Sequence, residues 1–114
     1  MGHWVLIIKP KDGLVEFFDS LGCNKEELDK LRIYGATLNF NEERVQGEMS
    51  TSCGLFCLYV AFWRLCNLDL SLKEVFSNLF SQNFKENEIL VHNFYSKYTE
   101  TWKETTVQGL MTKK

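Results

Sequence analysis

Apolar and polar positions along the chain change period several times, and each change marks an element. Residues 3–9, His-Trp-Val-Leu-Ile-Ile-Lys, are β-branched and aromatic and predict a strand. The turn cluster Pro10-Lys11-Asp12-Gly13 follows, and residues 14–19, Leu-Val-Glu-Phe-Phe-Asp, predict the returning strand. Both strands are apolar on both faces, so the hairpin is expected inside a sheet covered on two sides. Asn24 with Glu27 has capping-box spacing and predicts a short helix to about Arg32. Residues 36–40 are a candidate third strand. Residues 41–52 are polar and hold Gly47, Ser50, Thr51 and Ser52, a loop rich in potential helix caps. Residues 52–66 are apolar all round, which predicts a central buried helix closed by Asn67. Ser71 with Glu74, and Asn83 with Glu86, repeat the capping spacing and predict helices to about 81 and 97. Beyond Tyr98 the pattern is weak and a frayed tail is expected.

Length and composition narrow the class. The 114 residues suit one domain, with residues 1–97 as its body and 98–114 as the tail. Hydrophobic residues at 45% and charged residues at 25% are ordinary for a globular protein and unlike a disordered one. The longest apolar run, Cys53 to Trp63, is shorter than the roughly 20 residues a membrane span needs. A net charge of −2 provides no concentrated positive field for nucleic acid. The four cysteines, Cys23, Cys53, Cys57 and Cys66, form no C-x-x-C pair, and two histidines are too few to complete a zinc site with them. Their spacing makes a poor disulfide framework, and a reducing, intracellular compartment is the expectation. The overall expectation is an α+β fold: a small, antiparallel-containing sheet packed on the central helix, with further helices at the C-terminal end.

Four side chains could form a reactive site. Cys53 opens the buried helix, where unpaired N–H groups and the helix dipole favour thiolate over thiol, the form in which cysteine is a nucleophile. Gly54 follows and leaves room for a substrate backbone. His3 on the first strand could act as a base. A hairpin turning about Lys11 would set His3 opposite Asp19, close enough for the carboxylate to orient the imidazole. Gln46, seven residues before Cys53, carries an amide that could donate to an oxyanion beside the Cys53 N–H. Taken singly, each has an ordinary structural reading: a packed thiol, a surface imidazole, an acid closing a strand, a solvated loop amide.

Together they are more specific. His3-Trp4, Phe18-Asp19-Ser20-Leu21-Gly22, Val45-Gln46-Gly47 and Ser52-Cys53-Gly54-Leu55-Phe56-Cys57 resemble the adenovirus protease (adenain) family of cysteine peptidases, relatives of the SUMO-specific peptidases. The order His, Asp, Gln, Cys matches, as do the Trp after His and the Gln-Gly pair. Such genes are also carried by virus-like transposable elements. The resemblance covers residues 2–66 and implies a papain-like, adenain-like thiol peptidase or isopeptidase. It would cut after small residues, Gly-Gly or Gly-X, in a polyprotein or ubiquitin-like modifier. Cys53 would be the nucleophile, His3 the base and later acid, Asp19 its orienting residue and Gln46 an oxyanion donor. Trp4 would cover the imidazole and, with Gly54, line the substrate side. No metal or organic cofactor is implied, and the partner is a protein or peptide substrate. The adenovirus enzyme responds to a peptide and to DNA; the acidic balance here gives no reason to carry over the DNA, and nothing in the sequence indicates the peptide. Family domains place more chain before the histidine, so a catalytic domain incomplete at its N-terminus is expected. A catalytically inactive remnant that binds a partner is the alternative. Cys23, Cys57, Cys66 and His92 match no family role and are expected to serve packing.

Overall fold

A computed structural model describes residues 2–32 and 37–112, and the side chains of residues 27, 31, 32 and 100–112 lie outside the description. Three strands and four helices run in the order β1 (Leu6–Lys11), β2 (Leu14–Phe18), α1 (Lys25–Arg32), β3 (Thr37–Phe40), α2 (Cys53–Cys66), α3 (Leu72–Leu79), α4 (Phe84–Thr112). The result is a small α+β domain with a mixed sheet. β2 is the central strand, antiparallel to β1 and parallel to β3. The parallel pair requires a crossover, and α1 supplies it.

The hairpin turns at Asp12-Gly13, with Gly13 at φ +78, a conformation glycine adopts without strain. The ladder is irregular between Ile8 and Lys11. Pro10 lies inside that stretch and has no N–H to donate, so regular pairing cannot pass through it. Past the irregularity Leu6 pairs with Phe18. Continued by one step, that register faces Asp19 with Val5. The expected His3–Asp19 cross-strand pairing is therefore corrected: the strand starts at Leu6, and His3 lies in the segment before it.

Phe18, on β2, joins Phe56, Tyr59 and Val60 of α2, Leu72 of α3 and Val91 of α4 in the core. Phe80, half-buried, packs against it, with ring centroids 5.6 Å from Phe56, 5.7 Å from Tyr59 and 5.7 Å from Phe76. Phe17, turned to the other face by strand alternation, and Leu28 of α1 are buried apart from that cluster. Two-sided cover thus reaches β2 but not β1, most of whose residues are exposed at the sheet edge. The central helix departs from expectation in the same way. One face of α2 is buried, while Leu58, Phe62 and Leu65 are exposed.

One buried ion pair joins sheet to helices. Arg64 of α2 donates through Nε to Glu16 Oε1 at 2.7 Å, and Glu16 Oε2 accepts the Leu72 N–H at the start of α3 at 2.9 Å. Both side chains are almost fully enclosed. The helix caps follow the sequence. Ser71 accepts the Glu74 N–H, and Asn83 Oδ1 accepts the N–H groups of Lys85 and Glu86. α3 stops at Leu79, two residues early, and α4 runs on to Thr112, well past 97. The Glu27 half of the first capping box and residue 36 of the third strand lie outside the described residues. Among the described residues no helix is long and apolar enough to cross a membrane.

Candidate active site

The sheet and α2 bring three of the four candidate residues together. Asp19 follows β2 and is 3% exposed. Its Oδ1 meets His3 Nε2 at 2.7 Å and accepts the Leu21 N–H at 2.9 Å. With Nε2 committed to Asp19, Nδ1 is the imidazole nitrogen left for Cys53, whose sulfur accepts the N–H of the adjacent Trp4. His3 thus reaches Asp19 from outside the ladder, as a side-chain contact and not as a strand pair.

Charge favours an ion pair between imidazole and sulfur. Burial works against the imidazolium of His3, but the bond to Asp19, its charge, and Cys53 outweigh this and raise the pKa above its ordinary value. Burial likewise works against the thiolate of Cys53, but the Trp4 N–H, His3 and the Gly54 N–H outweigh it and lower that pKa. Cys57, one turn further along α2, shows burial without such compensation: its pKa is pushed up to about 12, with Cys53 and Asp19 adding to the rise.

The Trp4 peptide is held by both cysteines. Its N–H donates to Cys53 Sγ at 3.3 Å, and its carbonyl accepts from Cys57 Sγ at 3.5 Å. The indole, with Trp4 70% exposed, lies over Gly54, where an added Cβ would sit 3.4 Å from its Cδ1. The missing side chain at Gly54 admits the Trp4 indole, which covers the start of α2.

Gln46 is placed differently from its expected role. It is 2% exposed, its Oε1 accepts from Ser20 Oγ, and its Nε2 donates to Ser50 O at 3.0 Å and Ser50 Oγ at 3.1 Å. Its amide hydrogens face Ser50, so as folded it is an organiser of the loop before Cys53. Ser20 O holds that loop at its other end by accepting the N–H groups of Val45 and Gln46.

The sequence reading missed Asn41 and the Glu88–His92 pair of α4. Asn41 is 5% exposed; it accepts the Asp19 N–H through Oδ1 at 2.9 Å and donates through Nδ2 to the Asp19 carbonyl at 2.6 Å. The signal available was an Asn directly after an apolar strand, which also fits any turn. The pair includes His92, expected to pack. It is exposed on α4, and its Nε2 meets Ser52 Oγ at 2.8 Å and Glu88 Oε1 at 3.1 Å. Ser52 occupies the N-cap of α2 yet makes no side-chain cap bond, because its hydroxyl turns to α4. The leading N–H groups of α2 are therefore not capped by that side chain. Cys66 is exposed and Cys23 half-buried, so neither is a core residue.

A cavity of about 530 Å³ lies between β3, the 41–45 loop and α3, and none of His3, Asp19 or Cys53 lines it. Comparison with protein-family models, with curated proteins and with solved structures gives no match.

Proposed function

We propose that the chain is a thiol-dependent cysteine peptidase or isopeptidase of the adenain-like kind, with Cys53 as nucleophile. The observation that carries this reading is His3 Nε2 set 2.7 Å from the buried Asp19 carboxylate near Cys53 at the start of a buried helix, with His3 and Cys53 each favouring the other's charged form. A buried acid holding an imidazole, which in turn holds a sulfur, is the arrangement nucleophilic acyl transfer needs.

In this reading the Cys53 thiolate attacks the scissile carbonyl, forming a C–S bond while the carbonyl π electrons move to oxygen. His3, as imidazolium, gives its proton to the leaving amine as the C–N bond breaks. Neutral His3 then takes a proton from water, whose oxygen displaces the sulfur and regenerates the pair. Asp19 keeps the imidazole oriented and balances its charge throughout. The Cys53 backbone N–H, at the start of α2 where Ser52 provides no side-chain cap, would serve as an oxyanion donor. Gln46 joins it when its bond to the Ser50 carbonyl is exchanged for the oxyanion, the bond to Ser50 Oγ holding the amide in place. Cleavage after Gly-Gly or Gly-X follows from the sequence resemblance. The substrate is a protein or peptide, in a polyprotein or a ubiquitin-like modifier.

Selective alkylation tests this. At pH 6 iodoacetamide should label Cys53 well ahead of Cys66, which is exposed and serves as the reference thiol. Cys53→Ala should abolish cleavage of a Gly-Gly reporter. Labelling of Cys66 at least as fast as Cys53 would overturn the assignment and favour a partner-binding remnant.

A further inference from the structure

A polar cluster from α4 sits behind the loop that leads into Cys53. Glu88 Oε2 accepts from Ser50 Oγ at 2.8 Å, and Glu88 Oε1 accepts from Ser52 Oγ. Ser50 Oγ in turn accepts the Gln46 Nε2 hydrogen at 3.1 Å and the Ser52 N–H at 3.2 Å. A serine hydroxyl has one proton and two lone pairs, so Ser50 Oγ is saturated. Its proton points at Glu88 because an ionised carboxylate only accepts, and both lone pairs are thereby turned toward Gln46 and Ser52. Burial raises the Glu88 pKa, but bonds from Ser52, Ser50 and His92 outweigh this and lower it, which keeps the group ionised. The same proton count fixes His92. With the Ser52 proton directed to Glu88, His92 Nε2 must carry a hydrogen to face both Ser52 Oγ and Glu88 Oε1. One residue earlier on α4, Asn87 is 1% exposed and donates to the Val45 carbonyl at 3.0 Å. α4 therefore grips the 45–52 loop at both ends.

We propose that Glu88, supported by His92, is a positioning residue for the oxyanion side of the site: through Ser50 it sets the Gln46 amide and the backbone that enters Cys53. Its catalytic consequence rests on the peptidase reading. Glu88 orients donors and leaves the sulfur–imidazole pair untouched, so its removal should separate two reactions of the same thiol. A peptide ending in Gly-Gly-aldehyde adds to Cys53: the C–S bond forms, the carbonyl electrons pass to an oxygen seated among the oxyanion donors, and that oxygen takes the His3 proton. Iodoacetamide instead loses iodide to the thiolate and develops no oxyanion.

Glu88→Ala and, as a second variant, Ser50→Ala should each weaken aldehyde affinity tenfold or more while the iodoacetamide rate stays within twofold. Ser50→Thr, which keeps the hydroxyl, should restore the aldehyde affinity to within threefold of wild type. Unchanged aldehyde affinity in both alanine variants would overturn the proposal. So would parallel loss of both reactions, which would mean general damage to the site. A wild-type chain whose Cys53 takes up neither probe would overturn the peptidase reading itself, and this role with it.

Discussion

The Glu16–Arg64 pair is the second joint between β2 and α2, the elements that present Asp19 and Cys53, so breaking it tests how the site is held. In Arg64→Met the Glu16 carboxylate stays buried with only the Leu72 N–H as partner. Removing one member of a buried pair costs about 3–5 kcal/mol. Glu16→Met costs a similar amount, since it strands the guanidinium and leaves the Leu72 N–H unsatisfied at about 1–3 kcal/mol. The double variant Glu16→Met/Arg64→Met contains no stranded charge. What remains is chiefly the unpaired Leu72 N–H, about 1–3 kcal/mol, against a sum of about 6–10 kcal/mol for the single variants. A domain of this size has about 5–15 kcal/mol in total, so each single variant loses a large share of its stability. Urea titration followed by tryptophan fluorescence gives the three values. With a slope of about 2 kcal/mol/M, each single substitution should lower the midpoint by roughly 2 M. The double variant should recover most of that loss. Additive losses in the double variant, within about 0.5 kcal/mol, would show that the two groups do not depend on each other and would refute the reasoning.

Two further outcomes follow from the site. Asp19→Asn removes the charge that raises the His3 pKa; the imidazolium then holds the Cys53 thiolate less well, so the pH midpoint for Cys53 alkylation, which lies below that of an ordinary thiol in the wild type, should move upward, and an unmoved midpoint would detach Asp19 from the pair. Asn41→Ala removes both bonds to the Asp19 backbone and should slow reporter cleavage about 10-fold or more with KM nearly unchanged, as expected for a group that only places the acid; a purely KM effect in steady-state kinetics would contradict this.

Local signals made the element order legible. The polar caps at Ser71 and Asn83 are short-range devices, and each acts where the residues indicate, whereas the hairpin turns at Asp12-Gly13 and not about Lys11. The three residues Cys53, His3 and Asp19 were legible only as a set, because each alone has an ordinary structural reading. The strand register was not, since one irregularity at Pro10 shifts every pairing beyond it. Glu16 and Arg64 illustrate another kind of miss. A lone acid in Leu-Val-Glu-Phe-Phe and a lone base closing an apolar helix each look like surface residues, and only their burial in a shared interior makes them a pair. Asn41, Glu88 and His92 were invisible for a similar reason: their partners lie 22 to 40 residues away in the chain. The outward face of α2 reads as core because apolar residues alone do not say how many neighbours a helix has.

The sulfur of Cys53 carries two duties at once. It is the acceptor that fastens the Trp4 amide, and Trp4 is the residue next to His3. Once the sulfur forms a covalent bond to carbon it is a much poorer acceptor, so modification of this atom slackens the tether of the segment that carries His3. The modified chain would then hold that segment chiefly through Cys57 and Asp19, and recovery of the free thiolate would draw it back into place.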